Sequence, residues 1–176
     1  MTKFVADNVH SEVEFSVKHM MVTKVKGTFT EYSIEIDTDS MEDFENATLK
    51  ASANAATINT GVGDRDGHLQ SEDFFDAEKY PTITFTSNKI EKSGDSYKVT
   101  GDLTIRDVTK EETIVMEYNG QGKDPMGGGT VHGFEGSFAI NREDYGLTWN
   151  ASLETGGVLV SKDVKVNLEL QFQEAQ

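Results

Sequence analysis

From Val13 to Met21 the chain alternates without interruption, with Val13, Phe15, Val17, His19 and Met21 set against Glu14, Ser16, Lys18 and Met20. A period of two belongs to a strand with one buried and one wet face. The same period recurs along most of the sequence. Val25, Gly27 and Phe29 form the next row, and Tyr32, Ile34 and Ile36 continue it with a slip of one residue that a β-bulge would absorb. Leu49, Ala51, Ala53 and Ala55 follow, then Ile83 and Phe85. A turn at Ser93-Gly94-Asp95 leads to Tyr97, Val99, Gly101, Leu103 and Ile105. Beyond a turn at Asp107 to Lys110 come Ile114, Met116 and Tyr118, then Phe134, Gly136, Phe138 and Ile140. Val164, Val166, Leu168, Leu170 and Phe172 make the last row. Residues 37–47 are acidic and read as a loop, as does Gly120 to Gly133 with its glycines. The region 141–162 is mixed, with a strand expected near Leu147 to Leu153 and a turn at Gly156-Gly157.

One segment, Gly61 to Phe85, breaks the pattern. Asp64, Arg65, Asp66 and His68 crowd together, and Ser71 is placed to cap a short helix that Glu72 and Asp73 begin and Phe74 and Phe75 anchor. Tyr80-Pro81 stops it. About eight strands and one short helical elbow, with no βα alternation, exclude a parallel sheet. Gly27, Gly101 and Gly136 each fall on an inward row two residues before a large apolar side chain, where a strand bends or is closely approached. The expected fold is all-β, an eight-stranded antiparallel β-barrel with one helical elbow, in a single domain over residues 1–176. A two-sheet sandwich is the alternative.

Eight strands stand at the boundary between a packed barrel and one that holds a ligand. The small row Ala51, Ala53 and Ala55 and the inward glycines leave space, whereas Phe15, Phe29, Phe85 and Phe138 either fill it or line it. Residue volumes leave both outcomes open.

Charge and motifs remove other classes of function. A formal net charge of −15 repels phosphate backbones, so nucleic acid is not an expected partner. There is no cysteine, hence no thiol chemistry and no disulfide framework. Met1 to Asn8 has no apolar core of a leader, and no run reaches the length of a membrane span, so a soluble, cytoplasmic protein is expected. No Gly-x-Ser-x-Gly elbow is present, and Gly61-Val62-Gly63 lacks a dinucleotide fingerprint. Asp64, Asp66 and His68 fit the first positions of a calcium loop, but Leu69 and Phe75 stand where glycine and glutamate are required. His10, His19, His68 and His132 do not show zinc spacing, and no cofactor is expected. The acidic elbow reads as a capped turn, and His19 as either a core histidine or a ligand contact.

Several blocks resemble the YceI-like family. They are His10-Ser11 with Val13-x-Phe15-Ser-Val-Lys-His19-Met20, and Val25-Lys-Gly27-Thr-Phe29. The most specific is Arg65-Asp66-x-His68-Leu69-x-Ser71-x-Asp73-Phe74-Phe75-Asp76, running on to Tyr80-Pro81-x-Ile83-x-Phe85. Gly101-x-Leu103-Thr104-Ile105-Arg106-x-Val108-Thr109-Lys110 and Asn141-Arg142-x-Asp144-Tyr145-Gly146 complete the match. The resemblance implies a lipocalin-like, extended barrel that binds a polyisoprenoid chain in its interior. Many members of that family are periplasmic.

Three functions follow as expectations. The first is a carrier or sequestering protein, not an enzyme, for an isoprenoid lipid or isoprenoid quinone. The residues expected to line its site are Phe15, Val17, His19, Phe29, Tyr32, Ala51, Ala53, Phe85, Tyr97, Leu103, Ile105, Met116 and Phe138. A homodimer is among the states open to it. The second is an enzyme using His19 and the Asp64–His68 cluster, and the third a solid barrel that acts through its surface. Because the inward rows carry no Arg or Lys, a neutral quinone head bonded by His19, Tyr32, Tyr97 or Tyr118 is expected over a diphosphate.

Overall fold

The computed structural model describes residues 2–150 and 159–175. The strands are β1 (Thr2–Ala6), β2 (Glu12–His19), β3 (Thr23–Phe29), β4 (Tyr32–Thr38), β5 (Thr48–Asn54) and β6 (Ile58–Asn59). After the elbow come β7 (Thr82–Ser93), β8 (Ser96–Ile105), β9 (Val108–Lys123), β10 (Thr130–Asn141) and β11 (Asp163–Glu174). All pairings are antiparallel. The order β1-β4-β5-β7-β8-β9-β10-β11 closes on itself through Phe4↔Glu174, Val5↔Gln173 and Ala6↔Phe172, a ring of eight strands. β2 pairs with the other half of β11, from Lys165↔Ser16 to Glu169↔Glu12, and carries β3 and then β6 outward from it. The expected barrel is therefore the observed one.

Three local readings change. No bulge joins Phe29 to Tyr32: β3 ends there, and β4 leaves to pair with β1 and β5. The phase slip marks a change of partners. Gly120 to Gly133 is mostly ladder, because Gly133 pairs with Gly120 and Val131 with Gly122, so the loop shrinks to residues 124–129. Lys110 likewise lies in β9, opposite Leu103, so the turn before it is only Arg106-Asp107, with Arg106 at φ +58°. Of the mixed region, Leu147 to Asn150 is coil, and the expected Gly156-Gly157 turn lies outside the described residues.

The two halves of the barrel are filled differently. One half is solid. The acidic stretch read as a loop forms a 3-10 turn, Met41–Asn46, whose Met41 and Phe44 are buried. Phe44 stands 5.0 Å from the Tyr97 ring and 4.9 Å from Phe134, which meets Phe172 at 5.7 Å. The Tyr118 hydroxyl and His132 Nδ1 are hydrogen-bonded at 2.7 Å beside them. The other half is lined by Ala51 and Ala53. Aromatic rings there lie over glycine: a Cβ at Gly27 would overlap the Phe15 ring, and one at Gly101 would meet Phe85 and the backbone of Thr86 and Ser87. Gly101 thereby lets β7 bulge between Ser87 and Lys89.

Candidate ligand-binding site

The alanine-lined half encloses a cavity of about 190 Å³. Its wall comes from inward rows of nearly every strand: Phe15 and Val17 of β2, Phe29 of β3, Tyr32 and Ile34 of β4, Ala51 and Ala53 of β5, and Phe85 of β7. Leu103 and Ile105, Met116, Phe138 and Val164 complete the circuit. The surface they present is almost wholly apolar. An apolar cavity of about 150 Å³ stays dry and accepts small hydrocarbons, and this one is larger.

Eleven of the thirteen residues expected from the sequence line this cavity, and His19 and Tyr97 do not. His19 lies at the end of β2, bridged to Val160. Tyr97 belongs to the solid half, against Phe44. Alternation assigns a side chain to a face but says nothing of its height along the barrel axis. Tyr118 is absent from the lining for the same reason. Of the four polar groups expected to meet a ligand head, the cavity wall keeps Tyr32. Its hydroxyl is buried and has no hydrogen-bond partner among the described residues. Burial first, then the carboxylates of Glu12 and Asp7, push that phenol above its ordinary value.

Arg142 was missed by the inward rows because it sits in the 3-10 turn after β10, yet it lines the cavity and is 4% exposed. The premise that no basic residue faces inward is corrected accordingly. Its guanidinium donates to Ser161 O at 2.8 Å and to the carbonyls of Leu147 and Val160, so it ties these three residues to the barrel end. Burial draws its pKa below the ordinary arginine value. Its one sequence signal was the Asn141-Arg142 block.

The elbow supplies part of the cavity wall through Phe74 and Phe75. The helix is α1, Gly63–Gln70, and lies earlier than expected. Ser71 ends it: Ser71 Oγ donates to His68 O at 2.6 Å. The backbone of the following turn reaches back to the helix rather than forward, with Phe75 N on Leu69 O and Ala77 N on Gln70 O. That fold turns Phe74 and Phe75 into the cavity wall. Asp66 Oδ1 accepts from Thr60 N at 2.8 Å and Thr60 Oγ1 at 2.6 Å, and Arg65 Nη2 donates to Thr60 O at 2.8 Å. His68 Nε2 lies 2.9 Å from Asp73 Oδ2, and its ring meets Trp149 at 4.8 Å. Arg106 Nη1 donates to Gly146 O at 3.2 Å. Arg65, Asp66 and His68 are therefore spent on fastening the elbow, and neither they nor Asp64 line the cavity. Among the described residues no cluster of three metal-ligating side chains occurs, and no helix is long and apolar enough to cross a membrane.

Comparison with known proteins agrees with this geometry. The family model for the YceI-like domain matches residues 4–172. A UPF0312 protein of Staphylococcus aureus strain MSSA476 is 45% identical over 174 residues, covering 98% of each chain. A Campylobacter jejuni YceI protein of known structure is 34% identical, with a TM-score of 0.76 over 90% of both chains. Burkholderia cenocepacia BcnA, at 23% identity, shares the fold with a TM-score of 0.81 over 94% of this chain and 98% of its own. A domain from Saccharophagus degradans, described as polyisoprenoid binding, does so at 15% identity and a TM-score of 0.73 over 99% of this chain and all of its own. With the family model matched over nearly the whole chain and a relative 45% identical along its length, the chain belongs to the YceI-like family.

Proposed function

We propose that this protein binds a long-chain isoprenoid lipid, of quinone or polyprenyl type, in the barrel cavity, and carries or sequesters it without chemical change. The observation that carries the reading is the cavity itself: about 190 Å³ with an apolar wall, bounded by Phe74 and Phe75 at the elbow. Each buried methylene contributes about 0.8 kcal/mol, so the tail supplies affinity and little discrimination. The polyisoprenoid-binding description of the Saccharophagus domain supports the ligand class, on fold likeness. The absence of the Asp64–His68 cluster from the lining favours binding over turnover.

The test is solvent extraction of purified protein followed by mass spectrometry, with thermal shifts for a quinone and a polyprenyl diphosphate of equal tail length. A recovered isoprenoid, unchanged after incubation, is the expected result. Protein that carries no lipid and responds to neither probe would overturn the proposal. A stronger shift with the diphosphate that weakens with salt would reverse the expected preference for a neutral head.

A further inference from the structure

The hairpin joining β2 to β3 ends in Met20, Met21 and Val22, which are 47%, 59% and 79% exposed. Met20 and Met21 hold φ +53° and +63°, a left-handed conformation that turns ordinarily give to glycine or asparagine. Large apolar side chains thus stand where neither burial nor backbone preference asks for them. The tip is fastened: Met20 N donates to Leu159 O at 2.7 Å, and Ser161 N to Lys18 O at 3.0 Å.

Behind the tip lies a cluster of lysines. Lys18 and Lys24 face each other across β2 and β3, Lys26 pairs with Ser16, and Ser16 pairs with Lys165 of β11. Like charges placed opposite one another destabilise a sheet. All four lysines are exposed, and among the described residues none has an ion-pair partner, although the chain holds 31 acidic residues against 16 basic ones. Glu12 and Glu14 lie at the other end of β2, and Asp163 is the one acid on these three strands at the tip end. The inner faces of β2 and β3 carry Phe15, Val17 and Phe29, so the hairpin is continuous with the cavity wall.

We propose that this hairpin docks on an anionic lipid bilayer, with Met20, Met21 and Val22 entering the interface and the four lysines meeting the headgroups. The inference rests on the reading of the cavity as a lipid site, to which docking would bring its source. An interfacial element of this kind gains from both buried apolar area and anionic charge. Each lysine near such a surface contributes roughly a factor of five in affinity. The acidic remainder of the chain is repelled, which leaves this end as the face that approaches.

The experiment is co-sedimentation of the full chain with phosphatidylglycerol–phosphatidylcholine vesicles at low and high salt. Wild type pellets at low salt and is released at high salt, because exposed charges are screened. Met21→Ser/Val22→Ser and Lys24→Glu/Lys26→Glu each weaken binding by about tenfold or more. Met126→Ser, which removes a 94% exposed methionine from the loop at residues 124–129, leaves it unchanged. Wild type that stays in solution at low salt, or hairpin variants that pellet as wild type does, overturns the proposal. A thermal shift with a short-tailed quinone in vesicle-free buffer separates the two readings. Hairpin variants keep the wild-type shift, whereas a wild type with no shift defeats the cavity reading alone.

Discussion

Replacing Ala51 by leucine separates a hollow barrel from a solid one by the sign of its effect. Ala51 lies on β5 between Ile34 and Phe85, and its methyl faces the cavity. At about 24 cal/mol per Å³, a void of this size forfeits roughly 4–5 kcal/mol relative to a filled core. Leucine adds three carbons, about 2.4 kcal/mol at 0.8 per carbon, less about 0.5–1 for lost side-chain freedom. The ligand-free variant should gain about 1.5 kcal/mol. For a chain of this length that raises Tm by about 3–6 °C. In a packed core the same change overpacks and loses about 1–3 kcal/mol. Wild type, in turn, should gain about 2.7 kcal/mol from an isoprenoid at one hundred times its Kd, and the variant much less. Scanning calorimetry of delipidated protein, with and without ligand, reads both effects. A variant that melts below wild type, with an undiminished ligand shift, would refute the argument.

Three further outcomes follow from named contacts. Tyr32→Phe removes the one buried, unpartnered side-chain hydroxyl among the described residues; urea unfolding should show stability unchanged or raised by about 1 kcal/mol, and a clear loss would mean the hydroxyl is bonded in solution. Asp66→Ala strips Thr60 of the two bonds it donates to that carboxylate, so Tm should fall with a loss of about 2 kcal/mol and amides of residues 60–77 should exchange faster; unaltered exchange would show that another contact holds the elbow. His132 is held below the ordinary histidine pKa by burial, beside Phe4 and the Tyr118 hydroxyl in a cleft that Asp39 and Glu174 also line. Its neutral form is the folded one, so stability is fully present above about pH 6.5 and declines as pH falls from there toward the lowered folded value; His132→Gln should flatten that slope, and an identical slope in the variant would assign it to the carboxylates.

The strands were legible because a half-buried strand writes its burial into every second residue. The inward rows from Val13 to Phe172 predicted both the ring and most of the cavity wall. What alternation does not carry is position along the axis, so Tyr97 and Tyr118 were grouped with Tyr32 although they belong to opposite ends. The plug was hidden because Met41 and Phe44 are two apolar residues amid five acids, too few to show a period. The helix was misplaced because Gly63 and Gly67 are poor helix formers, and its fastening lies in side-chain bonds to Thr60 rather than in any run of good ones. Arg142 lies in a turn, where no periodicity applies.

β11 borders three neighbours: β10 along one edge, and β1 and β2 end to end along the other. That seam joins segments as far apart as Gln171 and Ser11, whose bond spans 160 residues of sequence. Long-range pairing of this kind is slow, because the entropy of closing so large a loop is lost before the contacts repay it. Until the seam forms, β11 and β1 are open edges able to pair with another chain. The same interval leaves the interior accessible from the side, so a lipid present during synthesis can be enclosed as the sheet rolls up. If the cavity holds a lipid as proposed, a protein refolded without it and one made in its presence would then differ in occupancy while sharing a single native structure.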